Sequence, residues 1–250
     1  MPSLNVETTQ KLLVSASTIM LFQNTLILSL IVISIGIFQQ ALLLSLIQIV
    51  IFGLDIIGIG LLGMGLYRLS KMVPKAGLFA EKAGLLFLFW SPLTLIWRLS
   101  GRFFSSSSED VTQLGSALST TTEMLWIFSM AALVLTFAIF NLNKMIGRFQ
   151  EHGFILEGGG GLFVIYAILN IIGAIMLTFG FIGATPFLEQ LGQIDPSNPP
   201  SSFEFPRGSM LFLFLSFIGQ FIKGLIVPIL GLMLFSQLRG VFRKIEFQYE

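Results

Sequence analysis

Two ionisable side chains, Asp55 and Lys223, stand inside apolar stretches long enough to cross a bilayer. A charge near the bilayer centre costs on the order of 3 kcal/mol on insertion scales, so such a residue marks a site by default. The apolar stretches that hold them, about 41–67 and 210–236, are centred on residues 54 and 223. The acid and the base therefore fall at the same depth, and the sequence predicts an Asp55–Lys223 ion pair joining the second helix to the sixth. Gln48, Asn170 and Gln220 lie at similar depth and would add polar groups. Such a couple serves as a static lock, as a relay for protons or ions, or as part of a site completed by another subunit.

Most other chemistries are excluded by what the chain lacks. It has no cysteine, so disulfides, iron–sulfur clusters and thiolate metal sites cannot form within it. The one histidine, His152, excludes bis-histidine haem ligation and HExxH zinc sites, and reads as a solvated loop residue beside Glu151. The four glycines Gly158 to Gly161 are not followed by the Lys-Ser/Thr of a phosphate loop and read as a hinge before the next span. The ten methionines are dispersed, without a copper-type cluster. No catalytic residue, cofactor or metal is expected, and the chain is not expected to be an enzyme by itself.

These residues need elements to hold them, and composition says what kind. Of 250 residues, 54% are hydrophobic and 11% charged, 14 basic against 13 acidic. A soluble domain needs about a quarter of its residues charged. The chain therefore reads as an all-α polytopic membrane protein and not as a soluble globule, a disordered chain or a nucleic-acid binder. Spans are expected at about 14–38, 41–67, 83–100, 122–143, 161–184 and 210–236. The third is short, with fifteen residues between Lys82 and Arg98 and Pro92 among them, so it is expected to be Pro-kinked. Five spans plus a re-entrant segment is the alternative. Charge asymmetry favours six. Lys11, Arg68, Lys71, Lys75, Lys82, Lys144, Arg148, Arg239, Arg243 and Lys244 then share one side, against Arg98, Arg102 and Arg207 on the other. That is the positive-inside pattern, with both termini cytoplasmic in a cell membrane.

Finer features follow from the spans. Trp97 and Trp126 fall at outer helix ends, where an indole keeps its N–H wet, whereas Trp90 would lie deep. Segment 111–122 reads as a short interfacial helix after the serines Ser105 to Ser108. Glycines seven apart, Gly53/Gly60 and Gly58/Gly65, Gly173/Gly180, and Gly224/Gly231, predict that the second, fifth and sixth helices form the tightest contacts. Pro228, five residues beyond Lys223, should kink the sixth helix. The outer stretch 185–209 carries Pro186, Pro196, Pro199, Pro200 and Pro206 and reads as an extended loop. Phe187, Phe203 and Phe205 in it would dip into headgroups or contact another protein subunit. The basic stems Arg68/Lys71/Lys75, Lys144/Arg148 and Arg239/Arg243/Lys244 are expected to touch lipid headgroups.

The leading functional expectation is a non-catalytic integral subunit that scaffolds or stabilises a larger membrane complex. The alternative is a small oligomeric transporter or channel using Asp55 and Lys223. A lipid-interacting membrane factor, resting on the basic stems, is a third.

Overall fold

The structure, a computed structural model, describes residues 6–36, 41–72, 74–105, 114–151, 160–192 and 208–244. All of the elements in these residues are helices. Five are long: α1 (Val6–Gly36), α2 (Ala41–Met72), α3 (Pro74–Ser105), α4 (Leu114–Glu151) and α5 (Gly161–Gly192). The sixth is composite: α6 (Ser209–Phe221), a π turn (Ile222–Ile226) and α7 (Val227–Lys244). All six are long and apolar enough to cross a membrane.

The helices satisfy their own polar groups, as lipid demands. Along α1, Ser17 donates to the Leu13 carbonyl at 2.9 Å, Thr18 to Val14 at 2.8 Å, Asn24 to Met20 at 2.7 Å and Thr25 to Leu21 at 2.9 Å. Each bonds back one turn, so a hydroxyl or amide in an apolar helix leaves no donor stranded.

Each helix packs antiparallel on the next, and the ring closes on α1. Between α1 and α2, Gly58 meets Met20 and Gly65 meets Leu13. Between α2 and α3, Gly63 and Gly84 approach backbone to backbone. Lys144 lies over the Phe79 ring between α3 and α4. Ser129 and Thr178 share a hydrogen bond of 2.7 Å between α4 and α5. Gly180 meets the backbone of Ser216 between α5 and α6. Finally α7 returns to α1, where Gly231 faces Asn24 and Gln10 donates to the Arg243 carbonyl at 3.0 Å. This register gathers all ten basic residues of the expected inner face at one end of the bundle.

Several boundaries differ from expectation. The third helix is as long as α2, 32 residues, and runs on through Pro92. A charge ends a lipid-facing apolar stretch but need not end a helix: Lys82 is exposed, and Glu81 accepts from Lys71 at 3.0 Å. The fourth helix begins at Leu114, absorbing most of the supposed interfacial helix. The fifth continues through Pro186 to Gly192, so the first part of the outer stretch is helical, and Phe187 is buried instead of exposed. Phe203, Phe205, His152, Gly158 and Gly159 lie outside the described residues.

The glycine expectation holds only in part. Gly58, Gly65, Gly173, Gly180 and Gly231 sit at contacts where an added Cβ would clash, and Gly60 has ordinary clearance from Ser91 at 3.8 Å. Gly53 and Gly224 face open space. Nor do α2, α5 and the sixth helix form one cluster; α2 packs on α1 and α3. A seven-residue period selects a face but not its partner, and it misses Gly63 with Gly84, a close backbone approach between α2 and α3.

Large side chains fill the basic end of the bundle: Leu13, Leu66, Leu142, Met145, Leu238 and Phe242 are fully buried there. At Gly84 an added Cβ would stand 2.8 Å from both the Gly63 carbonyl and the Tyr67 nitrogen. Gly84→Val is therefore expected to cost about 1–3 kcal/mol through overpacking, while Gly53→Ala, in open space, should be neutral or gain about 0.5–1 kcal/mol from helix propensity. Thermal unfolding of the detergent-solubilised variants checks both.

Candidate functional site

Toward the other end the helices enclose a cavity of about 640 Å³, and all six contribute to its wall. From α1 come Gln23 and Asn24, from α2 Gln48 and Asp55, from α3 Trp90 and Thr94. From α4 comes Phe128, from α5 Tyr166 and Asn170, and from the sixth helix Gln220, Lys223 and Pro228. The five polar residues singled out from the sequence, Gln48, Asp55, Asn170, Gln220 and Lys223, thus meet at one place.

Among the described residues α2 and the sixth helix share no extended seam; Asp55 and Lys223 both line the cavity between them. Asp55 and Lys223 act on each other electrostatically within it, and Asp55 also acts on Tyr166. The Lys223 ammonium donates to Asn170 Oδ1 at 2.5 Å and stands 5.2 Å from the centre of the Phe128 ring. Both contacts suit a cation held away from bulk water, one through a charge-assisted hydrogen bond and one through the ring quadrupole.

Local structure explains how Lys223 comes to point inward. It belongs to the π turn, where the Val227 N–H reaches the Ile222 carbonyl, five residues back. Pro228 follows, without an N–H, and cannot complete an ordinary i→i−4 bond. One residue is accommodated extra, and π turns of this kind recur at functional positions. On the facing helix Gly173 makes room: a Cβ there would stand 2.8 Å from Lys223 Cγ.

Asn170 is fixed from behind. Its Nδ2 donates to the Ala132 carbonyl at 3.3 Å, and Thr136 bonds both Ala132 at 2.8 Å and Ala167 at 3.2 Å. This α4–α5 network sets the amide so that its oxygen is presented to the ammonium.

Sequence reasoning passed over Gln23, Asn24, Thr94 and Tyr166. Gln23 and Asn24 are buried amides within the uncharged stretch of α1 that follows Lys11, and that polar pair was the available signal. Trp90, whose depth seemed anomalous, is buried in the cavity wall. The chain's other anchors divide. Trp126 is exposed and meets Phe179 edge-on at 6.1 Å, whereas the side chains of Trp97 and Lys75 lie outside the described residues. Arg68, Lys71, Lys144, Arg148, Arg243 and Lys244 are exposed at the basic end. Arg239 differs in being half-buried, with its Nε enclosed and lacking a hydrogen bond. Among the described residues no cluster of ligating side chains could hold a metal.

Asn170→Leu keeps bulk but removes the acceptor, and should cost about 1.5–3 kcal/mol, the range for hydrogen bonds to charged groups. Combined with Lys223→Met the loss should be less than additive by about 0.5–3 kcal/mol; additive unfolding free energies would show that the 2.5 Å contact carries no coupling. No family model matches this chain, and no curated protein or solved structure matches it.

Proposed function

We propose that the chain is a small membrane transporter or channel whose central cavity admits a polar solute. The supporting observation is that all six helices converge on one cavity, with an acid, a base and several amides at mid-helix. A polar cavity of this size within apolar helices is costly to maintain, and ligand sites in bundles are built in this way, from side chains projecting inward from facing helices. A scaffold needs none of this; a core filled with aliphatic side chains would hold the same helices more firmly.

The positive-inside rule gives the orientation. The basic end faces the cytoplasm, and the apolar packing around Leu66, Leu142 and Leu238 closes that side. The cavity lies in the outer half. Asp55 and Lys223 orient the solute, Asn170 positions the lysine, and Gln23 and Asn24 supply neutral hydrogen-bonding groups. The membrane is the cell membrane, and the chain acts without a cofactor.

The absence of native cysteine allows single cysteines to report on access. In vesicles, Gln23→Cys in the cavity wall should react with a charged, membrane-impermeant methanethiosulfonate, and Ala16→Cys, two turns deeper in α1, should not. Equal inertness of both would overturn the solute reading, as would purification of a fixed hetero-complex in which a partner chain fills the cavity. That second outcome would restore the scaffolding role.

A further inference from the structure

The wall of the cavity is not continuous. α6 packs on α5, with Gly180 and Gly183 against Ser216 and Phe212, while α7 packs on α1. Above the π turn the sixth helix has changed partner, and among the described residues no seam joins α6 to α1 or α2. Gln48 and Gln220 line the cavity and are also exposed, so the cavity reaches the protein surface beside them. That surface is apolar. Leu46, Ile49 and Val50 next to Gln48, and Phe217 and Phe221 next to Gln220, are exposed. Both glutamines lie within the apolar spans, Gln48 two residues from the start of its own and Gln220 eleven residues into the sixth. A gap there faces the bilayer along its outer half, not water at the end of the bundle.

The charges say what fits. One acid and one base face the same space, so a ligand of either net charge that is attracted by one is repelled by the other. A ligand carrying both signs satisfies both. The Lys223 ammonium has three donors, one of them directed at Asn170, and a carboxylate such as Asp55 accepts at several lone-pair positions.

Resting on the reading of this cavity as a ligand site, we infer that it receives the headgroup of a zwitterionic lipid, which enters sideways through the gap between α6 and the α1–α2 pair. The headgroup anion lies against Lys223 and its cation against Asp55. The acyl chains remain outside, along the exposed apolar side chains of α2 and α6. The same paired charges would accept a free zwitterion from water; the lateral opening in an apolar belt favours the lipid.

Trp90 reports from the cavity wall. With Trp97→Phe and Trp126→Phe it is the sole indole, since the chain has three. The protein is placed in phosphatidylcholine vesicles containing one of three quenchers: phosphatidylcholine with a nitroxide on the headgroup, phosphatidylcholine with a nitroxide at mid-chain, or a soluble nitroxide amino acid. The headgroup label is expected to quench Trp90 despite its position midway along α3. Unlabelled phosphatidylethanolamine should relieve the quenching and anionic phosphatidylglycerol should not. Lys223→Met should weaken it about tenfold, the loss of one charge-assisted hydrogen bond. Gln48→Phe with Gln220→Phe, both at exposed positions, should narrow the entrance and weaken it without disturbing the fold. Quenching by the mid-chain label alone overturns the inference, as does equal relief by phosphatidylglycerol. If only the soluble amino acid quenches, the lipid inference falls and the solute cavity stands. If neither the headgroup label nor the amino acid reaches Trp90, both readings fall.

Discussion

The arrangement depends on the sixth helix exchanging partners at Lys223. Pro228 has no N–H and its ring crowds the turn before it, so the helix cannot pass this point with a regular ladder. The π turn at Ile222–Ile226 takes up the irregularity within the helix. Below it, α7 lies on α1 through Gly231 and Asn24; above it, α6 lies on α5 through Gly180 and Ser216. One backbone defect thus opens the ring on one side, bounds the cavity and turns Lys223 into it. A straight sixth helix would have to choose one neighbour along its whole length.

The basic half of the bundle is closely packed. Helices in lipid gain little from hydrophobic burial against one another, so close backbone approach and dispersion carry the packing. Gly65 on Leu13 and Gly63 on Gly84 bring α1, α2 and α3 together, and Leu66, Leu142, Met145, Leu238 and Phe242 fill what remains. The polar groups are concentrated where the packing stops. Asn170, braced by Ala132 and Thr136, spans the transition, its amide tied to the α4 backbone and its oxygen held toward Lys223.

The sequence made the spans legible because a bilayer is a demanding solvent: scarcity of charge and stretches of apolar residues admit few alternatives. Asp55 and Lys223 were legible for the same reason, and equal depth from opposite ends of the chain sufficed to expect them at one level. Other features were not. The apolar stretches place helix ends near residues 83 and 184, yet the helices continue past both, because a hydrogen-bond ladder is indifferent to the lipid boundary. Glycine periodicity named the small faces of α2 and α5 but could not say that Gly53 faces space while Gly63 faces Gly84. The neighbours of the cavity were hidden most. Tyr166 resembles an ordinary member of an apolar helix until tertiary packing brings it to the same cavity wall as Asp55, and ring order is a property of the whole bundle.

The cavity's blind end bears on how it could ever empty toward the basic side. Passage would require separating large side chains anchored on helices whose backbones touch at glycines, and close-packed interiors yield by switching between arrangements, not by stretching. Among the described residues, the sixth helix alone contains a π turn, with open space at Gly224 inside it. Migration of that turn by one residue would rotate Lys223 relative to Asn170 and alter the partner choice of α6 and α7 together. On the proposed transport reading, the residue that binds and the residues that permit movement belong to the same short segment. A ligand that draws on Lys223 would act directly on the hinge.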